Sequence, residues 1–244
     1  MFRKLLLSLA ILALGAPALR AAPLFDVMVL IDGSGSVSVP DYETQMTAVQ
    51  QFLDGFAIGN SANRFGLVQF GNSASLVSGL SGDAAQLSNA RSSVVQDLGQ
   101  TNHAAAFGTA ANEFALNGRT GVQQVVVLLT DGNPNVPTPG NPLAAAIAAA
   151  DDLKTDGALV FAVGIGNFID PSTLELYASA PSADYAFSIA DFSGLGGALA
   201  DVGGSLNSIS GPEASVPAPA SLAIAGFGLA ALAFARRRAR QQAA

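Results

Sequence analysis

The sequence predicts an α/β domain built on a mostly parallel β-sheet, and three observations carry that expectation. Two fully apolar runs, Val27–Ile31 within LFDVMVLIDGSGS and QVVVLL at Gln124–Leu129, are short and Val-rich, as strands buried on both faces are. Each run breaks abruptly into an Asp-Gly turn, Asp32-Gly33 and Asp131-Gly132. Around them, strand-like and helix-like segments alternate, the pattern of parallel strands joined by crossover helices.

The elements follow in order. After the opening strand, Pro40 is placed to start a helix over Tyr42–Phe56, whose Met46, Val49, Phe52, Leu53 and Phe56 recur at helical spacing. Phe65–Phe70 is a second strand. The turn Gly71-Asn72 returns the chain to Ala74–Val77 so quickly that the pair reads as an antiparallel edge hairpin. Ala84–Val95 and the Ala-rich Ala104–Leu116 are helical, and Gln124–Leu129 is the second buried strand. Pro142–Lys154 is a helix, Leu159–Ile165 a strand, Pro171–Ala178 a short helix, Tyr185–Ile189 the last strand and Phe192–Ile209 a glycine-rich final helix. Phe52, Phe56, Phe107 and Phe114 fall on helix faces and are expected in the core. Gly164-Ile165-Gly166 lacks the third glycine of a dinucleotide loop and reads as a turn. Asp151-Asp152 reads as a solvated helix face.

A chain of 244 residues has room for one sizeable domain plus appendages. With no Cys there is neither a disulfide framework nor a thiolate metal site. The single histidine, His103, leaves no site that needs two imidazoles. The net charge of -7 hides an asymmetry: Arg3, Lys4 and Arg20 lie near one end and Arg236, Arg237, Arg238 and Arg240 near the other. Between them, Arg64, Arg91, Arg119 and Lys154 face all 18 acidic residues. Such a body repels phosphate backbones, so no nucleic-acid partner is expected.

The two ends read as addresses. Residues 1–22 carry basic Arg3 and Lys4, the apolar run Leu5–Leu14 and then small residues, the layout of a secretory signal peptide. Ala16-Pro17-Ala18 and Ala21-Ala22 both offer cleavage positions. Residues 210–219 are Pro-, Ala- and Ser-rich, a linker by composition. Residues 220–235 are uncharged and apolar, and an Arg-rich tail fills 236–244. As a helix the apolar stretch reaches about 24 Å, short of the roughly 30 Å hydrocarbon layer, a mismatch that bilayer thinning accommodates. Arginines behind it predict a cytoplasmic C-terminus and an exported body. This end resembles the PEP-CTERM sorting tail, which implies export to the surface of a Gram-negative cell and removal by an exosortase-type enzyme. Pro217-Ala218-Pro219 stands where that family has Pro-Glu-Pro, so Ala218 replaces its glutamate.

The chemistry gathers at the strand ends. Asp32, Ser34 and Ser36 alternate with Gly33 and Gly35, and hard oxygen donors converging on one point suit a small divalent cation. The same residue types also build ordinary polar turns. In an open α/β sheet, ligands bind beyond the carboxyl ends of the strands, where strand order reverses. If the two apolar strands are neighbours there, Asp32 and Asp131 face one crevice, and the loop Gly99-Gln100-Thr101-Asn102 adds a hydroxyl.

Taken together, Asp32-Gly33-Ser34-Gly35-Ser36, Thr101 and Thr130-Asp131-Gly132 resemble the von Willebrand factor type A (vWA) domain over residues 23–209. The resemblance implies a doubly wound, Rossmann-like, mostly parallel six-stranded sheet with one antiparallel edge strand and helices on both faces. It implies a metal-ion-dependent adhesion site with Asp32, Ser34, Ser36, Thr101 and Asp131 as ligands of Mg2+, with Mn2+ or Ca2+ as alternatives. Gly33, Gly35, Asn102, His103 and Gly132 are then expected on the rim. Many relatives carry a second Thr where this chain has His103, which is expected to make binding pH-sensitive near 6 to 7.

The function expected is binding of protein ligands at a cation whose open coordination position takes an exposed Asp or Glu of the partner. The protein would be sorted to the outer cell surface or matrix and held at least transiently in the inner membrane by its C-terminal helix. The alternative is an envelope-anchored accessory factor for assembly or regulation of a membrane or exopolysaccharide complex. No enzyme is expected. One His with abundant Ser and Asp leaves a hydrolase open by composition, but no Gly-x-Ser-x-Gly elbow sits at a strand end.

Overall fold

Strand β1, Phe25–Asp32, runs through the middle of a six-stranded sheet with all eight residues buried. The computed structural model describes residues 23–136 and 140–209. The other strands are β2 (Arg64–Phe70), β3 (Ala74–Ser81), β4 (Gln123–Gly132), β5 (Leu159–Phe168) and β6 (Ala186–Ile189). They lie in the order β3-β2-β1-β4-β5-β6, with only β3 antiparallel to its neighbour. The helices are α1 (Val39–Asp54), α2 (Ala84–Ser93), α3 (His103–Asn117), α4 (Pro142–Thr155), α5 (Pro171–Tyr177) and α6 (Leu195–Ser208).

β1 is apolar at successive positions because both its faces are covered. Val27, Val29 and Ile31 pack under α1 and α6, against Met46, Val49, Phe52, Leu199 and Val202. Met28 and Leu30 pack on the other face with Phe107, Ala110 and Phe114 of α3, Ala146 and Ala150 of α4 and Tyr177 of α5. Burying each large apolar side chain is worth about 1.5–3 kcal/mol, so a polar substitution on either face of β1 carries that penalty. The small residues of α3 and α4 bring those two helices close together over the sheet.

The doubly wound order follows from where the crossovers go. β1 feeds α1 and then pairs with β2 on one side, whereas β4 feeds α4 on the opposite face and pairs with β5 on the other side. β1 and β4 are neighbours, with Ile31 beside Leu129, as the paired Asp-Gly turns anticipate. The reversal of strand order, where ligands of open α/β sheets bind, therefore falls between the ends of β1 and β4 at Asp32 and Asp131. Helix caps fix the loops that enter it. Ser38 caps α1, with Pro40 in the first turn, and the Asn102 side chain accepts from Ala105 N to cap α3.

The amino end of β1 is closed by a different device. Asp26 is fully buried and takes Arg64 Nε at 3.0 Å and Arg64 Nη2 at 2.8 Å, with Arg119 N at 2.7 Å and Arg119 Nε at 2.9 Å. Burial alone would raise this carboxyl, but the hydrogen bonds from Arg64 and Arg119 outweigh it and hold it below its ordinary value.

Several expectations shift. Gly164-Ile165-Gly166 is not a turn but the interior of β5, because Leu174 and Ile169 press on the strand there. A Cβ on Gly164 would stand 2.5 Å from Leu174 Cδ1. β3 runs four residues beyond Val77, to Ser81, across an irregularity in its pairing with β2. The last helix begins at Leu195, since Asp191 caps a separate 3-10 turn at Phe192–Gly194. The expected signal peptide (1–22), linker (210–219), hydrophobic helix (220–235) and tail (236–244) lie outside the described residues. Among the described residues no helix is long and apolar enough to cross a membrane.

Candidate functional site

Three loops meet at the carboxyl ends of β1 and β4. Asp32, the last residue of β1, is fully buried. Its Oδ1 accepts the backbone N–H of Ser34 at 2.9 Å and its Oδ2 accepts the Thr130 hydroxyl at 2.7 Å, while Gln45 Nε2 donates to its carbonyl at 2.8 Å. The Ser34 and Ser36 hydroxyls lie 2.9 Å apart, and Ser36 Oγ donates to Asp131 Oδ1 at 2.7 Å. With its own proton committed to Asp131, Ser36 receives the proton of Ser34.

The threonine loop is tied to both neighbours. Gly35 N donates to Gly99 O and Leu98 N to Gly33 O, each at 2.8 Å. Thr101 N donates to Asn135 Oδ1 at 2.8 Å, and Asn135 N returns a bond to Thr101 O at 3.0 Å. Thr101 is thereby held at 4% exposure between the β1 loop and the loop after β4. Gln96 Nε2 adds bonds to Ser34 O at 3.1 Å and Val37 O at 2.8 Å. At Gly35 a side chain would meet Leu98 O at 3.0 Å, so the close approach of these two loops favours glycine.

Electrostatically the site is short of positive charge. Burial pushes the Asp32 carboxyl up to about 6, Asp131 adding to the effect and the Ser34 and Thr130 hydrogen bonds opposing it. Burial also raises Asp131, with Asp41 contributing. Among the described residues no three His, Cys, Asp or Glu side chains converge, so any cation here depends on hydroxyls. Three of the five expected donors are spaced for such an ion, since ligands at 2.0–2.1 Å around an octahedral ion stand about 2.9 Å apart. Ser34 Oγ, Ser36 Oγ and Asp131 Oδ1 are spaced at 2.9 and 2.7 Å.

The expected rim needs correction. Gly35 and Ser36 are exposed and Asn102 is half-buried, but Gly33 and Gly132 are buried. His103 is wholly buried rather than at the rim, and burial lowers its pKa to about 3. It is neutral near pH 6 to 7, so His103 does not supply the pH sensitivity expected of it there. Its Nε2 lies 2.9 Å from Thr130 Oγ1 and its Nδ1 3.2 Å from the Tyr177 hydroxyl. Sequence reading missed Asn135, Gln96 and Tyr177, which carry no local signal because each acts on a loop distant along the chain. It also missed two exposed apolar side chains beside the loops: Leu98, bonded to Gly33, and Phe168, paired with Gly132.

Comparison with known proteins agrees with the fold. The family model for the von Willebrand factor type A domain matches residues 26–201, and that for the PEP-CTERM protein-sorting motif matches 215–238. The collagen alpha-6(VI) chain of Homo sapiens is 30% identical over 190 residues, 72% of this chain and 8% of that one. Matrilin-2 of Mus musculus is 28% identical over 182 residues, 69% of this chain and 18% of that one. Proximal thread matrix protein 1 from the mussel byssus, in a structure with a zinc-occupied MIDAS motif, superposes with TM-score 0.64 at 26% identity, covering 73% of this chain and 46% of that one. The chain thus spans less than half the length of each of these relatives. It belongs to the von Willebrand factor type A domain family and carries a PEP-CTERM protein-sorting motif behind that domain.

Proposed function

We propose that this chain is an exported, surface-sorted vWA domain that binds protein ligands through a divalent cation held by Asp32, Ser34, Ser36, Thr101 and Asp131. The observation that carries this reading is the run of Ser34, Ser36 and Asp131 oxygens spaced at 2.9 and 2.7 Å at the carboxyl ends of β1 and β4. Mg2+ fits such a hard-oxygen set, with Mn2+ or Ca2+ as alternatives. Bound there, the ion supplies a positive Lewis-acidic point in an otherwise acidic surface. Its remaining coordination position favours an exposed Asp or Glu of a partner over a neutral side chain. Exposed Leu98 and Phe168 flank the loops and suit a partner whose acidic residue has apolar neighbours.

Binding rather than catalysis is supported by the state of His103. Both its ring nitrogens are engaged, by Thr130 and Tyr177, so it has none left to activate a serine. The PEP-CTERM motif at 215–238 supports export, processing by an exosortase-type enzyme and, before processing, membrane anchoring by residues 220–235. The matrix and adhesion relatives support a surface or matrix role.

The test is a titration of the purified protein with Mn2+, followed by electron paramagnetic resonance of the free ion, and a binding assay with paired peptides Leu-Glu-Phe and Leu-Gln-Phe. One ion per chain, loss of the site in Asp32→Ala, and Mn2+-dependent preference for the glutamate peptide are expected. Wild-type protein that binds none of Mn2+, Mg2+ and Ca2+ overturns the reading.

A further inference from the structure

Four buried groups form one continuous line of hydrogen bonds that begins on α5 and ends on the carboxylate of Asp32. The Tyr177 hydroxyl lies 3.2 Å from His103 Nδ1, His103 Nε2 lies 2.9 Å from Thr130 Oγ1, and Thr130 Oγ1 lies 2.7 Å from Asp32 Oδ2. All four residues are 0% exposed, so water does not compete for these contacts. The His103 ring is wedged edge-on between Phe70 and Tyr177, with centroids 5.5 Å from each and planes at 84° and 88°.

The protons along this line can be counted. An ionised carboxylate only accepts, so the single Thr130 proton goes to Asp32 Oδ2, a shorter contact than the 3.1 Å to Gly132 O. Thr130 Oγ1 must then accept from His103, which places the imidazole proton on Nε2. Nδ1 is left as an acceptor, and the Tyr177 hydroxyl donates to it. The opposite tautomer would turn Nε2 into an acceptor and draw the Thr130 proton away. Asp32 Oδ2 would then be buried with no donor.

We infer that His103 and Tyr177 are positioning residues for Asp32: Tyr177 selects the imidazole tautomer, and the imidazole aims the Thr130 hydroxyl at the carboxylate. The inference rests on the metal reading proposed above. A ligating carboxylate held by such an outer hydrogen bond meets its cation already oriented, and removing outer partners of this kind typically costs ten- to a hundredfold in metal affinity.

The test uses the fact that His103 is the only histidine of the chain, so 15N spectra of its imidazole need no assignment. At pH 7.5 the protein is expected to show the Nε2–H tautomer, and Tyr177→Phe a mixture of both. Mn2+ affinity, read by paramagnetic resonance, is expected to fall about tenfold or more in His103→Leu. His103→Gln, whose amide keeps a donor for Thr130 and an acceptor for Tyr177, should recover most of that loss. If His103→Leu does not fold, the tautomer and the Tyr177→Phe affinity decide. An Nδ1–H tautomer in the wild type, or wild-type Mn2+ affinity in both His103→Leu and Tyr177→Phe, overturns the positioning role alone. Wild-type protein with affinity for none of Mn2+, Mg2+ and Ca2+ overturns the metal reading and the role that rests on it.

Discussion

The Ser36 hydroxyl donates to the Asp131 carboxylate at 2.7 Å although 95 positions separate them, a single contact that ties the loop after β1 to the end of β4. Ser36 is exposed, so its removal opens no cavity. A hydrogen bond to a charged group is worth about 1.5–3 kcal/mol. Ser36→Ala is expected to lower stability by no more than that amount in chemical denaturation. It should cut Mn2+ affinity at least tenfold. Equal losses of stability and none of affinity would show that the contact merely braces the loops.

Bound cation should stabilise the fold by mass action. At an ion concentration 100-fold above its dissociation constant the gain is about 2.7 kcal/mol. For a domain of this size each kcal/mol moves the melting temperature by about 2–4 °C, so a rise of about 5–10 °C is expected. Differential scanning fluorimetry with Mg2+, then with excess EDTA, measures it. Asp131→Ala should be indifferent to both additions.

Two buried groups give the metal-free protein opposing pH dependences. The folded-state Asp32 value of about 6 lies above its ordinary 3.8. Its stabilising contribution is therefore complete below pH 3.8 and lost as pH rises through 6, about 3 kcal/mol in all. The folded-state His103 value of about 3 lies below its ordinary 6.5. Its contribution is complete above pH 6.5 and lost as pH falls toward 3, about 5 kcal/mol in all. Between pH 6 and 4 the two oppose each other, so wild-type stability measured by urea unfolding in EDTA should change less favourably than that of a variant without the imidazole. His103→Gln should grow more stable from pH 6 to 4. A parallel pH profile for variant and wild type would contradict the assignment.

Leu98 holds a left-handed backbone, φ 57°, beside the β1 loop while leaving 61% of its surface exposed. That conformation costs a non-glycine residue about 1–2 kcal/mol, and Asn tolerates it better than Leu. Leu98→Asn should therefore raise the melting temperature. It should also weaken binding of the Leu-Glu-Phe peptide while Mn2+ affinity stays unchanged. Unchanged peptide binding would remove Leu98 from the partner-facing surface.

Much of this fold is visible in the residues themselves. Val27–Ile31 and Gln124–Leu129 read as buried strands because their faces need almost no polar residues, and the Asp-Gly at each end marks the two neighbouring strands where the order reverses. Asp32, Ser34, Ser36 and Asp131 declare themselves by being oxygen donors where a strand stops. The rest depends on long-range proximity that local pattern does not encode. Tyr177 reaches His103 across 74 positions, and Asn135 reaches Thr101 across 34. His103 looks like a rim residue because helix starts are usually wet, yet its ring turns inward to Thr130. Gly164 looks like a turn because glycine usually marks one, yet it is the room left for Leu174 that demands it. β3 reads short in the sequence because an edge strand with Ser75, Ser78 and Ser81 lacks an unbroken apolar pattern.

The contrast between Asp26 and Asp32 has a consequence for the molecule as a whole. Both are buried acids on one strand, but the first is locked to two guanidiniums, whereas among the described residues no basic side chain pairs with the second. One tip of β1 is electrically finished at folding, and on the metal reading proposed above the other waits for a cation from outside. A mutation that silences Asp26 should therefore be felt as fragility, one that silences Asp32 as deafness in an otherwise sturdy protein.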